Sequence, residues 1–167
     1  MSSTPALLVI GPIAAKYDRP YDARDRAGDA VYQVNVARLE CTCPDFLAHR
    51  AAFRADDARR VCTHLYDKLY ATKVERGFSP VVQLFIRYGR TMFDCRISDD
   101  DLGLLILGQP FGPASVRAIG MVEGKPLLAT FDASREDWAG SETPLTREVA
   151  LAILDRMKRA FPAAWKT

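Results

Sequence analysis

Two short pairs of metal-type ligands punctuate this chain: Cys41-Thr42-Cys43 and, 18 residues later, Cys62-Thr63-His64. They use three of its four cysteines and one of its two histidines. Three thiolates and an imidazole are a standard donor set for tetrahedral structural zinc, with four protein ligands and no position kept open for water. The single-residue spacers have a geometric meaning. On an extended strand residues i and i+2 point to the same side, so Cys41 and Cys43 present two sulfurs to one ion. On a regular helix a step of two turns the side chain by about 200°, so Cys62 must lie in a turn, with His64 on the first helical turn behind it. The pattern predicts one zinc ion held by Cys41, Cys43, Cys62 and His64.

These residues and their flanks resemble the SWIM zinc finger: an apolar strand, Cys-x-Cys, a variable stretch, Cys-x-His, then an apolar helix. Here the strand is Val31-Tyr32-Gln33-Val34-Asn35-Val36, and the first ligand pair runs into Pro44-Asp45-Phe46. The resemblance covers roughly residues 28–76, with the complete ligand set. It implies a zinc-stapled binding module rather than a catalyst, since domains of that family serve as DNA- or protein-binding parts of chromatin-remodelling ATPases, Mutator-type transposases and recombinase partners. Nothing after residue 80 resembles a nameable family.

The elements that must position the ligands are legible in outline. Residues 31–36 alternate with a period of two, placing Tyr32, Val34 and Val36 on one face. A turn near Ala37-Arg38 returns the chain as a second strand that delivers Cys41 and Cys43. Pro44-Asp45 opens a helix over about 45–56, Pro suiting the first position and Asp the first turn. Ala48, Ala51, Ala52 and Ala55 support that helix, with Phe46 and Phe53 on one face. After His64 an amphipathic helix carries Leu65, Tyr66, Leu69, Tyr70 and Val74, stopped by Gly77 and Pro80. In front of the site, residues 6–10 read as a buried strand and the charge-alternating residues 16–29 as a solvated loop.

The second half reads as hairpins and a closing helix. Residues 81–88 and 91–97 flank Gly89-Arg90, a two-residue hairpin signal. Ser98-Asp99-Asp100-Asp101 suits a helix N-cap with acids in its first turn, although the apolar run 102–107 behind it also fits a strand. Residues 115–122 and 125–131 form a second hairpin around Glu123-Gly124. Residues 132–145, with Trp138, make a polar connection. Thr146 caps a last helix to about Ala160, with Val149, Ile153, Met157 and Ala160 on its apolar face. Cys95 falls in a strand as a small buried hydrophobe. The fold class expected is α+β: a small zinc-stapled ββα-like module with its N-terminal strand (residues 1–77) packed against a C-terminal unit of two hairpins and a terminal helix (residues 78–167).

Composition narrows the function classes. The 167 residues are 49% hydrophobic, enough for a sizeable core, and carry 23 basic against 21 acidic residues for a net charge of +2. That balance argues against coating DNA through bulk charge and leaves local patches. Arg50, Arg54, Arg59 and Arg60 are the candidate nucleic-acid surface, although Asp45, Asp56 and Asp57 interleave with them as on a solvated face. Three thiolates on one zinc leave a net charge of −1, which Arg59 or Arg60 can offset from nearby. No stretch approaches the ~20 apolar residues of a membrane helix. Residues 6–15 look faintly like a signal peptide, but no Lys or Arg precedes them and Gly11-Pro12 breaks them. Cys41 and Cys43 cannot sensibly bridge each other, so a reducing, cytoplasmic setting is expected.

There is no glycine-rich phosphate loop, no Gly-x-Ser-x-Gly and no His-Glu-x-x-His. His49 lacks a ligand partner at metal spacing. An enzymatic role would need Asp99, Asp100, Asp101, Asp132 and Glu136 to converge. The sequence thus points to a zinc-dependent DNA-binding module, with a protein–protein adaptor as the alternative.

Overall fold

Where the period of two is strongest the chain forms strand β2, Val31–Asn35, with Val34 and the following Val36 buried. The computed structural model describes residues 4–141 and 144–166 in two compact units, Met1–Arg90 and Thr91–Thr167. The division falls after Arg90, so the segment following Gly77 belongs with the unit that holds Cys41, Cys43, Cys62 and His64. The fold is mixed α and β, with one three-stranded and one five-stranded sheet.

In the first unit β2 lies between β1 (Tyr21–Arg24) and β3 (Glu40–Cys41), both antiparallel to it. β1 corrects the expectation of a solvated loop over 16–29. Its register, Tyr21↔Val34 to Arg24↔Val31, turns Ala23 into the core while Asp22 and Arg24 stay outside. Charged residues are tolerated on the outer face of such a strand, which is why charge alternation concealed it. Residues 6–10 are not a strand. Ala6–Leu8 is a 3-10 turn, and Val9 makes one isolated bridge with Asp57, burying Leu8 and Ile10.

The helix expected over 45–56 contracts to one wide turn, Phe46–Arg50, closed by Ala51 N–H donating to the Phe46 carbonyl. A 3-10 turn, Ala58–Arg60, follows. The physical reason is closure: a straight helix of about 12 residues is about 18 Å long and would carry Cys62 away from Cys43. Helix α1 (Thr63–Ala71) is shorter than expected. Lys73 takes a left-handed φ of 64°, and a separate 3-10 turn covers Val74–Gly77. α1 packs on β1, β2 and β3, burying Leu65 and Leu69.

Residues 81–88 are helix α2 (Pro80–Tyr88), not a strand, and Gly89-Arg90 is no hairpin turn. Ser79 Oγ accepts the Val82 N–H and Pro80 occupies the first turn, a start signal strong enough to override the β-branched pair Val81-Val82. The buried set Val81, Val82, Phe85 and Ile86 has helical spacing. α2 packs against the turns Ala6–Leu8 and Ala58–Arg60.

The second unit is a five-stranded antiparallel meander: β4 (Arg96–Asp100), β5 (Gly103–Gly108), β6 (Ser115–Val122), β7 (Lys125–Asp132) and β8 (Asp137–Ser141). The acidic run enters β4 and its hairpin turn rather than capping a helix, because the apolar run behind it pairs as β5. Glu123-Gly124 joins β6 to β7 as expected, with φ of 52° and 74°, values a type I′ turn needs. β8 replaces the expected connection around Trp138; residues 142 and 143 lie outside the described ones. Helix α3 (Arg147–Ala160) starts at the Thr146 cap and sends Ile153 and Met157 into a core with Leu105, Leu107, Val116, Ala118, Val122, Leu127 and Phe131. Cys95 is half-buried ahead of β4 and donates to the Met92 carbonyl.

Candidate metal centre

The β2–β3 ladder continues past β3 and keeps the first ligand pair extended. Thr42 N–H donates to the Gln33 carbonyl at 3.1 Å, and Gln33 N–H donates to Thr42 Oγ1 at 2.9 Å. Cys41 and Cys43 are therefore turned to one side, and both are buried. The turn feeding them is built by Asn35 Oδ1, which accepts Arg38 N–H at 3.0 Å, and by Leu39, buried at a φ of 52°. Cys62 is extended (φ −83°, ψ 177°) at the N-cap of α1, and His64 follows on the first helical turn.

These elements bring one donor atom each from Cys41, Cys43, Cys62 and His64 within 4.8 Å of one another. A tetrahedron with ~2.3 Å metal–sulfur bonds has edges of about 3.8 Å, so closing each pair by at most about 1 Å completes the shell. The electrostatics suit a cation. Cys41 Sγ accepts Cys43 N–H at 3.4 Å, Cys43 Sγ accepts Phe46 N–H at 3.4 Å, and Cys62 Sγ accepts Leu65 N–H at 3.5 Å. Donors aimed at sulfur favour thiolates, as does the N-terminus of α1 under Cys62.

Without a cation the three sulfurs share protons unevenly. The Cys62 thiol donates to Cys41 and so holds Cys41 below the ordinary thiol range against the effect of burial. The same donation, with burial, pushes Cys62 far up. Burial raises Cys43. Cys43 and Cys62 are thus held towards the thiol, and a metal must displace their protons.

His64 has a second feature. Its Nε2 lies 4.0 Å from Asp25 Oδ1, and its side chain is only 12% exposed. Nδ1 is buried and has no hydrogen-bond partner among the described residues, which leaves it as the nitrogen for the ion. The Tyr32 ring packs on the imidazole at 4.9 Å. At 4.0 Å the Asp25 carboxylate is near but not hydrogen-bonded to Nε2; an approach of about 1 Å would let Nε2–H donate to it, the usual way a ligand histidine is oriented. Sequence reasoning missed both partners: no spacing ties residue 25 to residue 64, and only the β1–β2 hairpin brings them together.

The four arginines nominated from sequence do not form one surface. Arg50 is 4% exposed. It donates to Asp45 Oδ2 at 2.7 Å and to the carbonyls of Arg59, Val61 and Arg90. Arg60 is 8% exposed; it donates to the carbonyls of Leu39, Ala51 and Phe53 and lies over the Phe46 ring. Both staple the loop between the two ligand pairs. Arg59 is clamped by Asp57 and stacked on Phe53. Only Arg54 is well exposed (side chain 62%), paired with Asp56. His49 is exposed and outside the ligand cluster.

Compared with known protein families, curated proteins and solved structures, the chain matches none. Its chemistry must be read from its own residues. The acidic residues of the second unit do not converge: Asp100 pairs with Gly103 at one end of the sheet and Asp132 with Ser115 at the other. Asp100 and Asp101 are bound to Arg156, which holds the Asp100 carboxyl below the usual range. Asp132 accepts from Ser134. Among the described residues no helix is long and apolar enough to cross a membrane.

Proposed function

We propose that residues 1–90 form a structural-zinc module of the SWIM kind that binds nucleic acid. The observation that carries the zinc assignment is the buried convergence of Cys41, Cys43, Cys62 and His64, with an orphaned imidazole nitrogen among them. Three sulfurs and one nitrogen in a compact shell match zinc in donor type and number. Four protein donors leave no site for a metal-bound water, so the ion's work is to lock β3 to α1 and to define the module's surface.

Charge favours nucleic acid over a protein partner. Residues 1–90 hold 14 Lys and Arg against 10 Asp and Glu, a net +4, while residues 91–167 hold 9 against 11, a net −2. The near-neutral total therefore conceals a basic unit. The test is metal analysis of the purified chain followed by fluorescence anisotropy with labelled DNA and RNA across a salt series. One zinc per chain and an affinity that falls steeply with salt support this reading. Salt-insensitive capture of a protein, with no nucleic acid bound at low salt, gives the adaptor reading instead.

A further inference from the structure

With the buried arginines committed to the loop, the cations available for a ligand gather elsewhere. We propose that the face of α1 bearing Tyr66 and Tyr70, flanked by Arg26 and Arg87, is a stacking platform for single-stranded nucleic acid. This rests on the nucleic-acid reading above and adds the surface and the strandedness.

Tyr66 and Tyr70 stand one helical turn apart on α1, ring centroids 6.4 Å apart and planes tilted by 30°. Tyr70 is 58% exposed, a large ring face offered to solvent. Three arginines lie beside Tyr66 and Asp67 of this helix, Arg87 and Arg90 from the end of α2 and Arg26 from the β1–β2 loop. Arg87, exposed near the end of α2, donates from Nε to Tyr66 Oη at 3.1 Å. Arg90 lies over the Tyr66 ring at 4.5 Å and reaches Thr63 Oγ1; its Nε is buried with no partner among the described residues. Arg26, from the β1–β2 loop, meets Asp67 on α1 at 2.5 Å with both side chains substantially exposed.

Asp67 is the acid this patch engages, and an exposed ion pair is weak in water, so a phosphate oxygen can take its place at Arg26. Guanidinium forks match phosphate geometry, and an exposed tyrosine takes the π-face of a base. That combination selects single strands, because duplex bases are already stacked on one another and their faces are hidden. Base edges are not read here, so little sequence preference is expected.

The experiment uses the full zinc-loaded chain and short labelled oligo-dT, with a duplex of the same length alongside. The single strand is expected to bind more tightly than the duplex. Tyr70→Ala should weaken binding roughly 5- to 100-fold, the effect of losing one stacked base, and Tyr70→Phe should restore it. Arg87→Gln and Arg26→Gln should each flatten the log–log salt slope by about 0.7, whereas Arg54→Gln leaves it unchanged. Equal bound zinc and equal far-UV circular dichroism show that the variants are folded. Wild-type binding indifferent to Tyr70→Ala, a preference for duplex, or equal displacement by polyglutamate overturns the platform alone. No binding by the wild type to any nucleic acid overturns the nucleic-acid reading as well.

Discussion

Asp25 sits 4.0 Å behind the distal nitrogen of His64. If it fixes the ring so that Nδ1 meets the ion, Asp25→Asn should weaken metal affinity by about 10- to 100-fold, as outer partners of ligand histidines do. The sulfur-to-cobalt charge-transfer bands of the Co(II) form should keep their intensity, since all three thiolates stay in place. Competition against a chromophoric chelator measures the first, and visible absorption the second. The proton inventory gives another expectation. Cys43 and Cys62 are held above the ordinary thiol range without metal, and a bound ion needs their thiolates. Metal uptake at neutral pH should therefore release protons from these two sulfurs, and affinity should fall as pH falls. A weakly buffered titration with a pH indicator reads this directly. The cluster of Cys41, Cys43, Cys62 and His64 was legible in the sequence because coordination dictates residue type and spacing. Asp25 and the stapling roles of Arg50 and Arg60 were not, because tertiary closure alone decides which way a charged side chain points.

Elements were legible where local chemistry and long-range pairing agree. Glu123-Gly124 between two apolar runs gives the β6–β7 hairpin, and Thr146 gives the start of α3. They were misread where the two compete. The run Val81-Val82-Gln83-Leu84-Phe85-Ile86 has the composition of a strand, yet the Ser79 cap and Pro80 start α2. Buried short apolar runs carry no periodicity that separates the two outcomes. β1 and β8 are edge strands of few residues, stabilised by the ladder they join, so their own sequences say little. The five-stranded sheet has its own fixed point at Gly120, where an added Cβ would meet the Leu104 carbonyl oxygen at 2.0 Å. That neighbour is backbone in the adjacent strand and cannot swing aside. Gly120→Ala should cost roughly 3 kcal/mol or more, the upper end of what overpacking costs, seen as a lower urea midpoint of the second unit. A midpoint within experimental error of wild type would show that β5 and β6 relax freely.

On the scale of the whole chain, both units bury apolar side chains, and a metal site belongs to the first alone among the described residues. The second has an apolar core of its own, from Leu105 through Phe131 to Ile153 and Met157. The first gathers short strands, 3-10 turns and helices α1 and α2 around the cysteine cluster, with Leu8, Leu39, Leu65, Leu69, Phe85 and Ile86 fully buried beside it. Zinc in comparable small modules contributes about 10–16 kcal/mol, as much as the ~5–15 kcal/mol net stability of a typical domain. Chelation should thus expose residues 30–76 to hydrogen exchange while β5, β6, β7 and α3 keep their protection. Uniform protection with and without chelator would show that the first unit holds together through its apolar contacts alone.

The most direct test is X-ray absorption at the zinc edge on the purified full chain. One zinc per chain is expected, with three sulfur neighbours at ~2.3 Å and one nitrogen at ~2.0–2.1 Å. A chain that takes up no zinc, or a shell rich in oxygen with fewer than three sulfurs, would contradict that expectation.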